Sequence, residues 1–187
     1  LISMMIRYFY LPLLFATAVC SQQKEAETVV FNGSTMGTNY VVRIAESLSE
    51  SDQLEVSRAV EDVLERVDAS MSTYRLDSEL SYLNRSSSAS PLEISASMFY
   101  VVQEALHISR LTSGAFDITV APLVRLWGFG AGAEKVPAVP TDGSLAIASK
   151  LVGSQHVTLT ENPLSLKKNI EGLEIDLSGI AKGFGVD

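Results

Sequence analysis

The sequence is short of the residues on which many sites are built. It has one cysteine, Cys20, and two histidines among 187 residues. An intrachain disulfide is impossible, and zinc sites built on paired cysteines are excluded. His107 falls in a predicted helix and His156 at the start of a predicted strand, and neither has a triad partner in the pattern. Histidine-based nucleophilic catalysis is therefore not expected. Basic residues are also scarce: 14 Lys and Arg face 22 Asp and Glu, a net charge of −8, with no basic cluster. Such a chain repels a phosphate backbone, which argues against general nucleic-acid binding. A single phosphate-bearing ligand is still compatible, because local backbone donors can outweigh the global field. The G-x-x-x-x-G-K-[ST] spacing of a Walker A loop is missing, and no internal repeat is visible.

What is present is apolar material. With 47% hydrophobic residues, the chain has enough for one ordinary domain with a sizeable core. The first stretch is read separately, as a targeting signal. Met4 or Met5 is the expected start, Arg7 gives a short positive region, and Tyr8 to Val19 is an almost unbroken apolar run. That run is short for a bilayer span and suits the central region of a secretory signal. It closes on Ala16-Thr17-Ala18-Val19-Cys20 and is followed by polar Ser21-Gln22-Gln23-Lys24. The arrangement resembles a bacterial lipoprotein cleavage site, whose cysteine is lipidated and anchors the protein. Val19 departs from the small residue usual before that cysteine, and an ordinary signal peptide is the alternative. Residues 1–20 are thus assigned to a signal, 21–28 to a linker and 29–187 to the domain. The mature protein is expected to be exported to the cell envelope, facing the periplasm or the cell exterior.

Within the domain, Val29-Val30-Phe31 and Tyr40 to Ile44 read as strands around a turn at Asn32-Gly33, the second alternating in polarity. Ser51 to Ser70 is predicted as a helix, with Val56, Val60, Val63, Leu64, Val67 and Met71 on one face. A second helix is predicted from Ser95 to Thr112, capped by Ser95 and ended by Gly114. A loop from Gly130 to Pro137 precedes a short helix over Thr141 to Val152. Val157 to Leu159, Leu164 to Leu166 and Leu173 to Ile175 read as strands of a meander, and Ser178-Gly179 opens a last helix. Helices and strands mixed without regular βαβ alternation predict an α+β domain with a mixed or antiparallel sheet.

Four segments are poorly composed for plain packing. Gly33 to Thr38 is a small-residue turn in which Met36 offers a soft surface to a flat ring. Ser70 to Asn84 carries Tyr74, suited to stacking or hydrogen bonding, with Asp77 or Ser78 as the cap of a short helix ending at Asn84. Thr112 to Gly130 carries Ala115, Phe116 and Asp117 after a helix-ending glycine, where a loop can wall a pocket. Trp127 in that segment is assigned to the core. Asp117, set among apolar residues, needs a partner such as an adenine amino group or a ribose hydroxyl. Ile175 to Phe184 reads as a strand, a turn and a helix start, with Asp176, Gly179 and Lys182 where free amides and a positive charge suit a diphosphate.

As an ordered set, STMGTNYVV, SMSTYRLDSELSYLN, TSGAFDITVAPLVRLWGFG and IDLSGIAKGFGVD resemble the ApbE-type FAD:protein FMN transferases, a family of exported bacterial lipoproteins. The resemblance runs from Gly33 to Asp187 and implies an ApbE-like fold of the T-fold type. It implies a Mg²⁺-dependent enzyme that takes FAD as substrate and transfers FMN to a Thr or Ser of an acceptor protein, releasing AMP. Acceptors in the family include subunits of membrane redox complexes. Residue by residue, Met36, Tyr74, Ala115, Phe116, Asp117, Asp176 and Lys182 match the family's FAD contacts, with Lys182 the most variable of them. Gly179 matches a main-chain metal ligand, and no catalytic residue is assigned. The family's other metal ligands belong to a later segment, so the chain as written is expected to be a fragment inactive on its own. A non-catalytic flavin carrier of the envelope is the alternative function.

Overall fold

The computed structural model describes residues 28–87, 90–130 and 139–187. The expected signal peptide, nearly all of the expected linker and most of the loop from Gly130 lie outside these residues. The α+β class holds, and the paired strands among the described residues are antiparallel.

The chain begins with a hairpin, β1 (Val29–Thr35) and β2 (Thr38–Ile44). The turn sits at Met36-Gly37, whereas the pattern had put it at Asn32-Gly33. Gly33 instead lies within the ladder, opposite Tyr40, and the register closes on Thr35 opposite Thr38. A two-residue hairpin loop that follows the strands' right-handed twist needs positive φ at both central residues. Met36 and Gly37 supply it, at φ 49° and 70°.

The long helix α1 spans Glu50–Met71, capped by Ser49, whose hydroxyl accepts from the Asp52 N–H at 3.2 Å. Of its apolar face only Val67 and Met71, near its end, are buried; Val63 is exposed. Helix α2 (Glu79–Arg85) follows, capped as expected by Ser78, which accepts from Ser81 N–H at 3.0 Å. Helix α3 spans Ala96–Leu111 with Ser95 as its cap, and buries Met98, Val101, Val102 and Ala105 as expected. Its end is a Schellman motif: Ser113 N–H donates to Arg110 O and Gly114 N–H to Ser109 O. The left-handed residue that stops the helix is therefore Ser113, at φ 52°, with Gly114 following it.

A short helix not expected from the pattern, α4 (Ala121–Leu126), carries Pro122 in its first turn, where the missing N–H costs nothing. Trp127, which closes it, is 49% exposed, so its assignment to the core is wrong. Of this six-residue helix only Pro122 is buried, and Trp127 stands at its C-terminal end, beyond the part that packs. Helix α5 (Asp142–Ser149) is capped by Thr141 and leads through a 3-10 turn at Ser154–His156 into β4 (Val157–Glu161).

The expected three-strand meander forms differently. Strand β5 (Leu164–Lys168) lies between β4 and the two-residue β3 (Leu92–Glu93), in the order β3-β5-β4. The stretch Leu173 to Leu177 is extended but joins no sheet. The Asn84 side chain takes the place of a neighbouring strand there. Its amide N–H donates to Ile175 O and its carbonyl accepts from Ile175 N–H, both at 2.8 Å. On the other side, Asp176 N–H donates to Ile118 O at 2.7 Å. The stretch still alternates as a strand does: Leu173, Ile175 and Leu177 are wholly buried, while Glu174 and Asp176 face outward. With Leu80, Leu83, Met98, Ile118 and Leu166 they form the centre of one core. The last helix, α6 (Ala181–Val186), begins after a turn at Ser178 to Ile180.

Candidate functional site

The outward side of the Leu173–Leu177 stretch faces a cleft of about 450 Å³. Six of the eight sequence-selected residues line it: Tyr74, Ala115, Phe116, Asp117, Asp176 and Gly179. They come from three distant parts of the chain, and the bonds from Asn84 and Ile118 to the stretch bring them together. Met36 and Lys182 lie apart from these six, on a small crevice under the turn of the hairpin that also includes Ser178. Ser178 belongs to the cleft as well, so the two depressions adjoin. A second cleft, of about 310 Å³, shares Val124, Phe129, Gly130 and Asp176 with the first and is bordered by Arg85 and Arg125.

Each wall is fixed by identifiable bonds. Tyr74 is 63% exposed on the loop between α1 and α2. Ser72 Oγ accepts from Tyr74 N–H and Arg75 N–H, at 3.2 and 3.3 Å, and Ser78 Oγ donates to Ser72 O. Arg75 clamps the same loop by reaching Asp77 with two nitrogens, each at 3.2 Å, and pairing with Glu65 on α1. Those carboxylates hold the Arg75 guanidinium protonated, and Arg75 in turn holds the Asp77 carboxyl below its ordinary range. Both groups are solvent-facing, so the clamp contributes geometry more than stability.

Asp117 does not wait for a ligand partner, contrary to the expectation. Its Oδ1 accepts from Thr119 N–H at 2.8 Å and from Thr119 Oγ1 at 2.6 Å, and its Oδ2 accepts from Ser154 N–H at 2.9 Å. Thr119 is wholly buried and its Oγ1 also accepts from Gly153 N–H at 2.6 Å. A half-buried carboxylate is satisfied here by the N–H and hydroxyl of Thr119 and by one backbone donor of the turn before β4. Asp117 still borders the cleft, but its first role is to join that turn to the cleft wall.

The turn before α6 also differs from the expected nest of free amides. Ser178 N–H donates to Asp176 Oδ1 at 2.8 Å, while Ile180 and Ala181 N–H both donate to Leu177 O. Lys182 is exposed and its Nζ donates back to Ser178 O at 3.3 Å. Gly179 fits closely: a Cβ there would stand 3.1 Å from a carbon of the Phe116 ring, which would have to give by a few tenths of an ångström.

Beside the cleft lies a charged pair and an interior cation. Arg125 reaches Glu174 with both terminal nitrogens, one contact at 2.8 Å, which keeps the guanidinium protonated. Lys168 is only 7% exposed, and its Nζ donates to Asn84 O at 3.1 Å. Burial pushes its pKa down, and nearby Glu174 opposes part of that shift. Sequence reasoning missed Asn84, Thr119, Ser178 and Phe129. Only Phe129 carried a usable signal, the glycines on either side of it. Among the described residues, no three His, Cys, Asp or Glu side chains converge as a metal-binding group.

The sequence profile of the ApbE family matches residues 36–187. A FAD:protein FMN transferase of Vibrio cholerae is 44% identical over 165 residues, 88% of this chain and 48% of that protein. One of Haemophilus influenzae is 41% identical over 177 residues, 92% of this chain and 51% of that protein. Among solved structures, the flavin transferase ApbE from Vibrio cholerae superposes with a TM-score of 0.79 at 42% identity, covering 87% of this chain and 52% of that one. The apo form of the Pseudomonas stutzeri flavinyl transferase ApbE gives a TM-score of 0.75 at 31% identity, covering 86% of this chain and 50% of that one. The chain spans about half the length of the curated relatives it matches.

Proposed function

The chain belongs to the ApbE family, and on that premise we propose that it carries the FAD-binding cleft of an FAD:protein FMN transferase. The observation that supports this most is the convergence of Tyr74, Phe116, Asp117, Asp176 and Gly179 on one cleft. A flat ring needs an aromatic wall, which Tyr74 and Phe116 supply. The hydroxyls and diphosphate of FAD need polar edges, which Asp176, Ser178 and, from the adjoining crevice, Lys182 supply. In the reaction, the hydroxyl oxygen of an acceptor Thr or Ser forms a bond to the phosphorus of the FMN half. The bond from that phosphorus to the bridging oxygen breaks, AMP leaves with that oxygen, and the proton of the hydroxyl passes to solvent.

Magnesium belongs to the same proposal, as the cation that neutralises diphosphate oxygens. The described residues fit it only in part. Gly179 can give one main-chain oxygen, Asp176 is the carboxylate nearest in sequence, and no acidic group of three surrounds them.

The acceptors we propose are subunits of membrane redox complexes, and the site of action is the cell envelope, with a lipid anchor on Cys20. Labelling with palmitate checks the anchor: the label is expected on the wild type and not on Cys20→Ser. The central test is transfer itself. The whole protein, given FAD, Mg²⁺ and an acceptor, is expected to leave flavin on the acceptor after denaturation, with one AMP released per flavin. FAD left intact, or split to FMN and AMP with nothing on the acceptor, would refute the transfer reading.

A further inference from the structure

We infer that Phe129 is an additional ligand contact, whose ring joins Tyr74 and Phe116 in receiving a planar ring of FAD. The inference rests on the flavin reading above. Phe129 is 68% exposed, although a phenylalanine ring is among the larger apolar surfaces a side chain can bury. The backbone fixes where the ring leaves the helix. Helix α4 ends in a Schellman motif in which Gly128, at φ 79°, donates to Arg125 O at 2.9 Å, and Phe129 N–H donates to Val124 O at 3.1 Å. These bonds fix the direction in which the chain leaves α4 and bring Phe129 to the cleft. In this motif the residue after the left-handed glycine commonly packs on the helix residue to which it is bonded, here Val124. At 68% exposure, that contact leaves most of the ring uncovered.

Single exposed apolar residues are ordinary on a protein surface. Phe129 differs by position, because it borders both clefts and so stands on the rim between them. The same cleft is lined by Tyr74, 63% exposed, and by the half-buried Phe116. Three aromatic rings thus surround a space within the size range of small-molecule sites. The backbone places an apolar surface where water must be displaced, and a flat heterocycle displaces it with stacking geometry that an aliphatic ligand lacks.

Fluorescence titration of the full chain with FAD tests the inference. Phe129→Leu, which keeps apolar bulk and removes the ring, is expected to weaken binding about 2- to 10-fold, and Phe129→Tyr to bind as the wild type does. Riboflavin and ADP, titrated separately, identify the heterocycle: a loss with either one supports the contact. Equal affinity of wild type and Phe129→Leu for all three ligands overturns it. Loss of the folded far-ultraviolet signal in Phe129→Leu also overturns it, by showing that the ring serves the core. Wild-type protein that binds no flavin overturns the functional reading, and this inference with it.

Discussion

The hairpin β1–β2 and the sheet β3-β5-β4 are both antiparallel, yet they contribute unequally to the interior. No hairpin residue is buried, whereas β4 and β5 bury Val157, Ser165, Leu166 and Lys168. Alternating polarity is present in both, so alternation alone does not build a core. The sheet is covered by α3 and by the Leu173–Leu177 stretch, while the hairpin meets mainly the flank of α1. Two strands with so little cover are marginal by themselves. The hairpin is attached at its tip, where Met36 packs on the core and its methyl lies 3.7 Å from the position a Cβ on Gly185 would take.

The largest expected break in this comparison is Leu166→Ala, in the middle of β5. It should cost about 2–5 kcal/mol, the usual cost of emptying a buried leucine site. Val41→Ala, 55% exposed on the hairpin, should change stability by no more than about 0.5 kcal/mol. Urea unfolding of both variants checks the pair, and similar losses would erase the distinction. Next is Asn84→Leu, which removes both bonds to the Ile175 backbone. A buried N–H and a buried C=O then lack partners, for a loss of about 2–4 kcal/mol by the same measurement. A loss below 1 kcal/mol would mean that the Leu173–Leu177 stretch is held by its side chains alone.

The smallest effect sharpens the comparison at Lys168. Burial lowers its pKa below the ordinary 10.5, so between the lowered value and 10.5 the unfolded chain binds more protons than the folded one. Stability should therefore rise with pH across that window. Lys168→Met should remove the rise and stabilise the protein at neutral pH by about 1 kcal/mol, since an apolar side chain of similar length carries no desolvation cost. Thermal melts of both proteins at neutral and alkaline pH would show it. A variant less stable than the wild type at neutral pH would mean that the bond to Asn84 O outweighs the burial.

Legibility in the sequence followed the range of the interactions. Helices α1 and α3 could be read to within about two residues, because Ser95 and the apolar spacing act locally. Tyr74, Phe116, Asp117 and Asp176 were recognised from ordered motifs, and the fold brings them to one cleft. The hairpin turn was misplaced because Asn32-Gly33 is a strong turn pair. The observed turn requires Met36, a residue with no special preference for positive φ, to adopt it. The strand expected over Leu173 to Ile175 has the right alternation, but its partner is an asparagine side chain 91 residues earlier. Part of the destination of the Asp117 carboxylate was hidden for the same reason: Thr119 lies two residues on, but the donor at Ser154 lies 37 residues along the chain.

Gly179 sets the clearance of the cleft. Its nearest neighbour across that gap is the Phe116 ring, 3.1 Å from where a Cβ would stand. A single methyl group at this position would press the ring aside by a few tenths of an ångström. The Ile175–Phe184 turn and the aromatic wall would then compete for one volume. The two segments are therefore a matched pair in shape, and the size of one side chain dictates what its counterpart can be. How well Gly179→Ala is accommodated depends on how far the ring at 116 gives way, and a slimmer residue at 116 should ease it.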